Sequence, residues 1–133
     1  MAISQMLDQL SRHLQDLQKK LIDTHKELHE KQQGATLTPY QMLDLLQNSE
    51  KFSWMQPMTT LIVEIDTLVD DKNLDPNSQH LQQFIARTRS LVFDGVDKAF
   101  KDAFEEGSAV NAELLESHQR LSYFLESIPD TRS

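Results

Sequence analysis

The sequence predicts an all-α fold, a compact bundle of four to five mostly antiparallel helices forming one domain over residues 1–133. Three observations predict it. Apolar residues recur at spacings of three and four along most of the chain, which is the period of one helix face. No stretch alternates apolar and polar residues as a half-buried strand would. The periodic stretches are separated by breaking and capping residues, among them Gly34, Thr38-Pro39, Asp75-Pro76 and Gly107-Ser108.

The first predicted helix covers 2–33. Ile3, Leu7, Leu10, Leu14, Leu17, Leu21 and Leu28 form a strict heptad seam, with Thr24 in the slot between the last two. Such a seam packs inside a bundle or against a second copy, and packing inside the bundle is the simpler expectation. Gly34 is the expected C-terminal stop. The second helix, 39–48, begins with Thr38 as cap, Pro39 where its missing N–H costs nothing, and Gln41 reaching back in a capping box. It carries Met42, Leu43, Leu45 and Leu46.

The third helix is expected over 53–71, with Pro57 either in its first turn or producing a kink, and Met55, Met58, Leu61, Ile62, Ile65, Leu68 and Val69 on one face. Asp75 followed by Pro76 opens a long fourth helix, 76–106, whose wide apolar face runs from Leu81 through Leu91, Val92 and Val96 to Phe104. Gly107-Ser108 ends it and caps a fifth helix over 109–128, which closes before Pro129.

Composition excludes several function classes. The net charge is −8, from 13 basic and 21 acidic residues, so there is no basic footprint for nucleic acid. The lysines of the first helix, Lys19, Lys20 and Lys26, alternate with Asp16, Asp23 and Glu27 as on a solvated face. The longest apolar runs are three residues, far short of a membrane span. The N-terminus has no secretory signal pattern, and the absence of cysteine removes disulfides and thiolate metal sites. A cytoplasmic location is expected.

The block from Phe52-Ser53-Trp54-Met55-Gln56-Pro57-Met58-Thr59 to Ile65-Asp66 resembles a family of small, uncharacterised, all-helical bacterial proteins. The pattern is aromatic, any residue, Trp, apolar, any residue, Pro, apolar and Ser or Thr, leading into a helix that carries Ile-Asp. Gly34 and the leucines at 43, 45 and 46 match it too, so the resemblance spans about residues 21–69. Ser49-Glu50 stands where that family often has Asp-Pro. The resemblance implies a bacterial source and a helical fold, and no activity.

Candidate chemistry is sparse. His25 and His29 share a helix face at i,i+4, and His118 is a third potential metal ligand. Neither His-Glu-x-x-His nor Glu-x-x-His is present, so ordinary surface histidines are the favoured reading and no metal or cofactor is expected. Glu64 and Asp66 lie near an apolar face, where pairing with Arg87 or Arg89 is favoured over a functional acid. Three scattered glycines cannot form a phosphate cradle, and no Gly-x-Ser-x-Gly elbow exists. Trp54 is expected to lock the core, with partner anchoring as the alternative. Gly95, Ala99 and Ala103 form a small-residue stripe near Phe93, Phe100 and Phe104, inviting close approach of a helix from the same chain or a second subunit.

Two functional classes follow. The favoured one is a non-enzymatic interaction protein binding itself, as a homodimer, or another protein, through the first helix or around Trp54, Phe93, Gly95 and Phe100. The other is a metal- or ligand-binding bundle, enzymatic in one version, built from His25, His29, Glu64, Asp66 or His118.

Overall fold

A computed structural model describes residues 2–129, and among them there is no strand. Six α-helices follow in order: α1 (Ile3–Gln33), α2 (Pro39–Asn48), α3 (Gln56–Asp70), α4 (Ser78–Thr88), α5 (Lys98–Ser108) and α6 (Ala112–Ser127). A 3₁₀ segment, Glu50–Met55, leads into α3, and a π-turn, Arg89–Phe93, extends α4. The all-α class holds, but the helix count is six rather than four to five. No helix of the described residues is long and apolar enough to cross a membrane.

α1 is the post on which the rest is assembled. Leu7, Leu10, Leu14, Leu17 and Leu21 are all 0% exposed. One flank of the seam meets α3, where Ser11 donates to Asp66 at 2.6 Å and Gln18 to Thr59 at 2.8 Å. The opposite flank meets α6, through His13 on Phe124, Asp16 with Ser117, and Thr24 with Asn111. In both pairings the residue numbers run in opposite directions, so α3 and α6 each lie antiparallel to α1. The heptad seam is therefore buried within the chain.

The first turns follow from local chemistry. Gly34 ends α1 at φ 70°, a left-handed conformation that costs Gly nothing. Thr38 and Gln41 close the capping box, with Gln41 N–H on the Thr38 hydroxyl at 3.1 Å and Thr38 N–H on the Gln41 side chain at 2.9 Å. Pro57 does sit in the first turn of α3. Residues 53–55, expected as helix, belong instead to the 3₁₀ segment. Pro57 has no N–H to bond the Ser53 carbonyl, which accepts from Gln56 in a 3₁₀ bond.

The predicted fourth helix is the main correction. Asp75 and Pro76 precede α4, whose cap is Asn77; its side chain accepts from His80 N–H at 3.0 Å, and His80 Nδ1 accepts in return from Asn77 N–H at 3.1 Å. Beyond Thr88 the chain widens into the π-turn, closed by Asp94 N–H on the Arg89 carbonyl at 2.9 Å. Gly95 then takes φ 68° and Asp97 caps α5. Gly95 is thus outside any helix, and the Gly95-Ala99-Ala103 stripe does not exist as one helix face. Ala99 is exposed and Ala103 buried.

Gly107 was expected to stop a helix, yet it lies in the last turn of α5, buried. A Cβ there would stand 2.7 Å from Leu114 Cδ1, so its role is close approach of α5 to α6. α6 is capped by Asn111, not Ser108.

Two stability measurements test this architecture. Gly95→Ala would be stabilising in a helix interior, but at its left-handed φ it is expected to cost roughly 1–2 kcal/mol in urea denaturation. Leu14→Ala, at the centre of the post, is expected to cost about 3 kcal/mol by the same assay.

Candidate functional site

The three histidines singled out above do not converge. His25 is buried, stacked on Trp54 with ring centroids 5.0 Å apart, and its Nε2–H donates to the Ala103 carbonyl at 2.8 Å. His29 lies at the surface beside Lys51 and edge-on to Phe52. His118 is clamped between Phe93 and Phe104, at 4.4 and 4.6 Å, and its Nε2–H donates to the Val92 carbonyl at 3.3 Å. Two of the three thus spend a ring nitrogen on a backbone carbonyl. Among the described residues no group of three His, Asp or Glu is placed to hold a metal ion.

The acids also find structural partners. Glu64 pairs with Arg87 across the α3–α4 gap, as expected for this position. Asp66 accepts from Ser11 of α1 rather than from an arginine. Trp54 and Phe100 are 5% and 1% exposed, so both fill the core rather than offer a surface. Phe93 is half-buried against His118.

The densest polar cluster was not anticipated. Asp16 Oδ2 accepts from Ser117 at 2.8 Å, Lys20 at 3.2 Å and Arg120 at 3.4 Å, while Lys20 and Arg120 also donate to the Ser117 oxygen at 2.7 and 3.0 Å. Partial burial works to raise the Asp16 carboxyl, but the hydrogen bonds from Ser117, Lys20 and Arg120, with the Lys20 charge, hold it below its ordinary value. Ser117 is 2% exposed with two cationic donors on its oxygen. A serine nucleophile needs the reverse: an accessible oxygen and a base to take its proton. The cluster ties α6 to α1. Beside it, a surface cleft of about 530 Å³ is lined by Gln9, Arg12 and His13 together with Asp16 and Arg120.

A second concavity is a groove of about 610 Å³ between α3 and the α4–π-turn unit. Pro57, Thr60 and Leu61 form one wall, Ala86, Arg87, Ser90 and Leu91 the other, and Val96 and Asp97 close one end. Its surface is mostly apolar. Arg87 and Asp97 supply the charge, with the Arg87–Glu64 pair spanning the rim. The π-turn shapes the groove: Ser90 and Leu91 line it, while Val92 and Phe93 engage His118. One extra residue in a helical turn redirects side chains in this way, and such turns recur at functional sites. Val96, on the lip, is 74% exposed.

Comparisons with protein-family models, with curated proteins and with solved structures returned no match to this chain.

The half-buried histidines make the fold sensitive to acid. Burial pushes His118 below its ordinary value, against the opposing effect of its bond to the Val92 carbonyl. Burial likewise lowers His13, with Asp16 opposing and Arg120 adding to it. A folded-state value below the unfolded one means the unfolded chain takes up the proton first. The associated stability is complete above the unfolded value of 6.5 and is lost as the pH falls below it. The melting temperature is therefore expected to fall between about pH 7.5 and 5.5, and His118→Gln to flatten that fall. A slope unchanged in both His118→Gln and His13→Gln would contradict the assignment.

Proposed function

We propose that this protein is a non-enzymatic, cytoplasmic bacterial interaction module that docks a polypeptide segment in the groove between α3 and the α4–π-turn unit. The groove itself carries the reading. It is a trough at the surface rather than an enclosed pocket, its floor is apolar, and its charges sit at the rim. Helix-in-groove recognition has this form, with apolar side chains of the incoming helix at i, i+3, i+4 and i+7 filling the trough. A catalytic pocket instead needs several polar groups converging on one point. The polar side chains best placed for chemistry, Asp16, Ser117, His25 and His118, are occupied in holding helices together.

The test is selection of helical peptides against the intact protein, followed by amide chemical-shift mapping. Shifts are expected at Thr60, Leu61, Ser90, Leu91 and Val96. Val96→Glu, at an exposed position that leaves folding intact, is expected to weaken binding by roughly tenfold or more. Shifts clustered at the Gln9–His13 cleft, or no binders from an amphipathic library, would overturn the reading.

A further inference from the structure

The groove is built on a stretch of the sequence where charges cancel, as they also do over residues 8–31 of α1. Residues 86–102 carry Arg87, Arg89, Lys98 and Lys101 against Asp94, Asp97 and Asp102. Glu64, paired with Arg87 across the rim, makes four positive and four negative charges. The net charge of −8 is thus carried by the rest of the molecule. Two copies of this chain repel each other through most orientations, and least where these balanced surfaces meet. The same place presents both halves of an apolar fit, the Val96 knob on the lip and the trough beside it.

We infer that the occupant of the groove is a second copy of this chain, the two related by a two-fold axis so that Val96 of each seats in the trough of the other. The inference rests on the docking reading above and names its partner. A two-fold interface is isologous: if residue i meets residue j, then j meets i. Arg87 and Asp97 both line the groove, with opposite signs, so each Arg87 can face the partner's Asp97 and the contact is made twice. A charge-balanced, self-complementary face fits a second copy best.

The experiment is sedimentation equilibrium on the full chain at low salt, with Arg87→Glu, Asp97→Arg and an equimolar mixture of the two. The wild type is expected to dimerise with rising concentration. Each variant alone places like charges opposite one another twice and is expected to weaken dimerisation by roughly tenfold or more. In the mixture both contacts are again between opposite charges, so dimerisation is expected to return to the wild-type level. Val96→Asp is expected to abolish it. Asp97 also caps α5, so thermal melts accompany each variant. Should Asp97→Arg fail to fold, Asp97→Asn keeps the cap and removes the charge, and Arg87→Glu must then pair more tightly with it than with itself.

A wild type that stays monomeric at millimolar concentration would overturn the inference. If selected peptides still map to the groove of that monomer, the docking reading survives with another partner; if none do, both fall. A dimer whose strength is indifferent to all four substitutions would place the interface elsewhere and likewise overturn the inference.

Discussion

The structure depends on the complete burial of the leucine seam along one helix. α1 is a 31-residue helix, and five of its seam leucines reach zero exposure because α3 and α6 lie on opposite flanks and the remaining elements close the gap. A helix buried along one stripe alone would keep polar residues over the rest of its surface. Here the flanks of the stripe are also engaged, and their polar residues had to find partners. Ser11 takes Asp66, Gln18 takes Thr59, Asp16 and Lys20 take Ser117, and Thr24 takes Asn111. Among the described residues no buried side-chain nitrogen or oxygen is left without a hydrogen-bond partner. These bonds set the register of α3 and α6 against α1, which non-directional packing of leucines would leave loosely defined.

That use of polar residues explains why the conspicuous functional groups are not gathered into a reactive centre. Histidines 25 and 118 each meet a backbone carbonyl, at Ala103 in the middle of α5 and at Val92 in the π-turn. The Val92 carbonyl, at a helix break, lacks the regular i→i+4 partner, and a buried one left bare is costly. The His118 N–H supplies that donor, while both rings pack on aromatic neighbours. The Asp16–Ser117 cluster does the same for two helices, with cations gathered around the Asp16 carboxylate and the buried Ser117 hydroxyl. These groups act on the fold rather than on a substrate.

What could be read in advance was whatever depends on neighbouring residues. The capping box at Thr38, the stop at Gly34, the place of Pro57 and the Glu64–Arg87 pair all follow from local spacing or from adjacent helices. The division of the long fourth helix did not, because its apolar positions continue through the break. Leu91, Val92 and Val96 fit a helical period as well as they fit a π-turn followed by a loop. A π-turn differs from a helix by one residue of register, and the left-handed Gly95 that follows looks in sequence like a helix-interior glycine. Gly107 misled in the opposite sense. It resembled a terminator, but the want of a Cβ there serves Leu114 on the next helix. Asp66 and Ser11 are 55 residues apart, and no local pattern announces their bond.

The groove therefore arises from the feature that was least legible. Had α4 continued straight through residues 89–106, the sixth helical element would not exist and Val96 and Asp97 would be carried along one cylinder. The π-turn sends Leu91 into the groove and Phe93 onto His118, and Gly95 lets the chain reverse so that Val96 and Asp97 close the end. The break costs helix hydrogen bonds and leaves Val96 largely in water, while Leu91, Val92 and Phe93 beside it are covered or half-covered. Such a local departure, in a fold where burial and polar pairing agree elsewhere, is where a functional constraint is expected to act. The same turn joins the groove on one side to the aromatic clamp around His118 on the other.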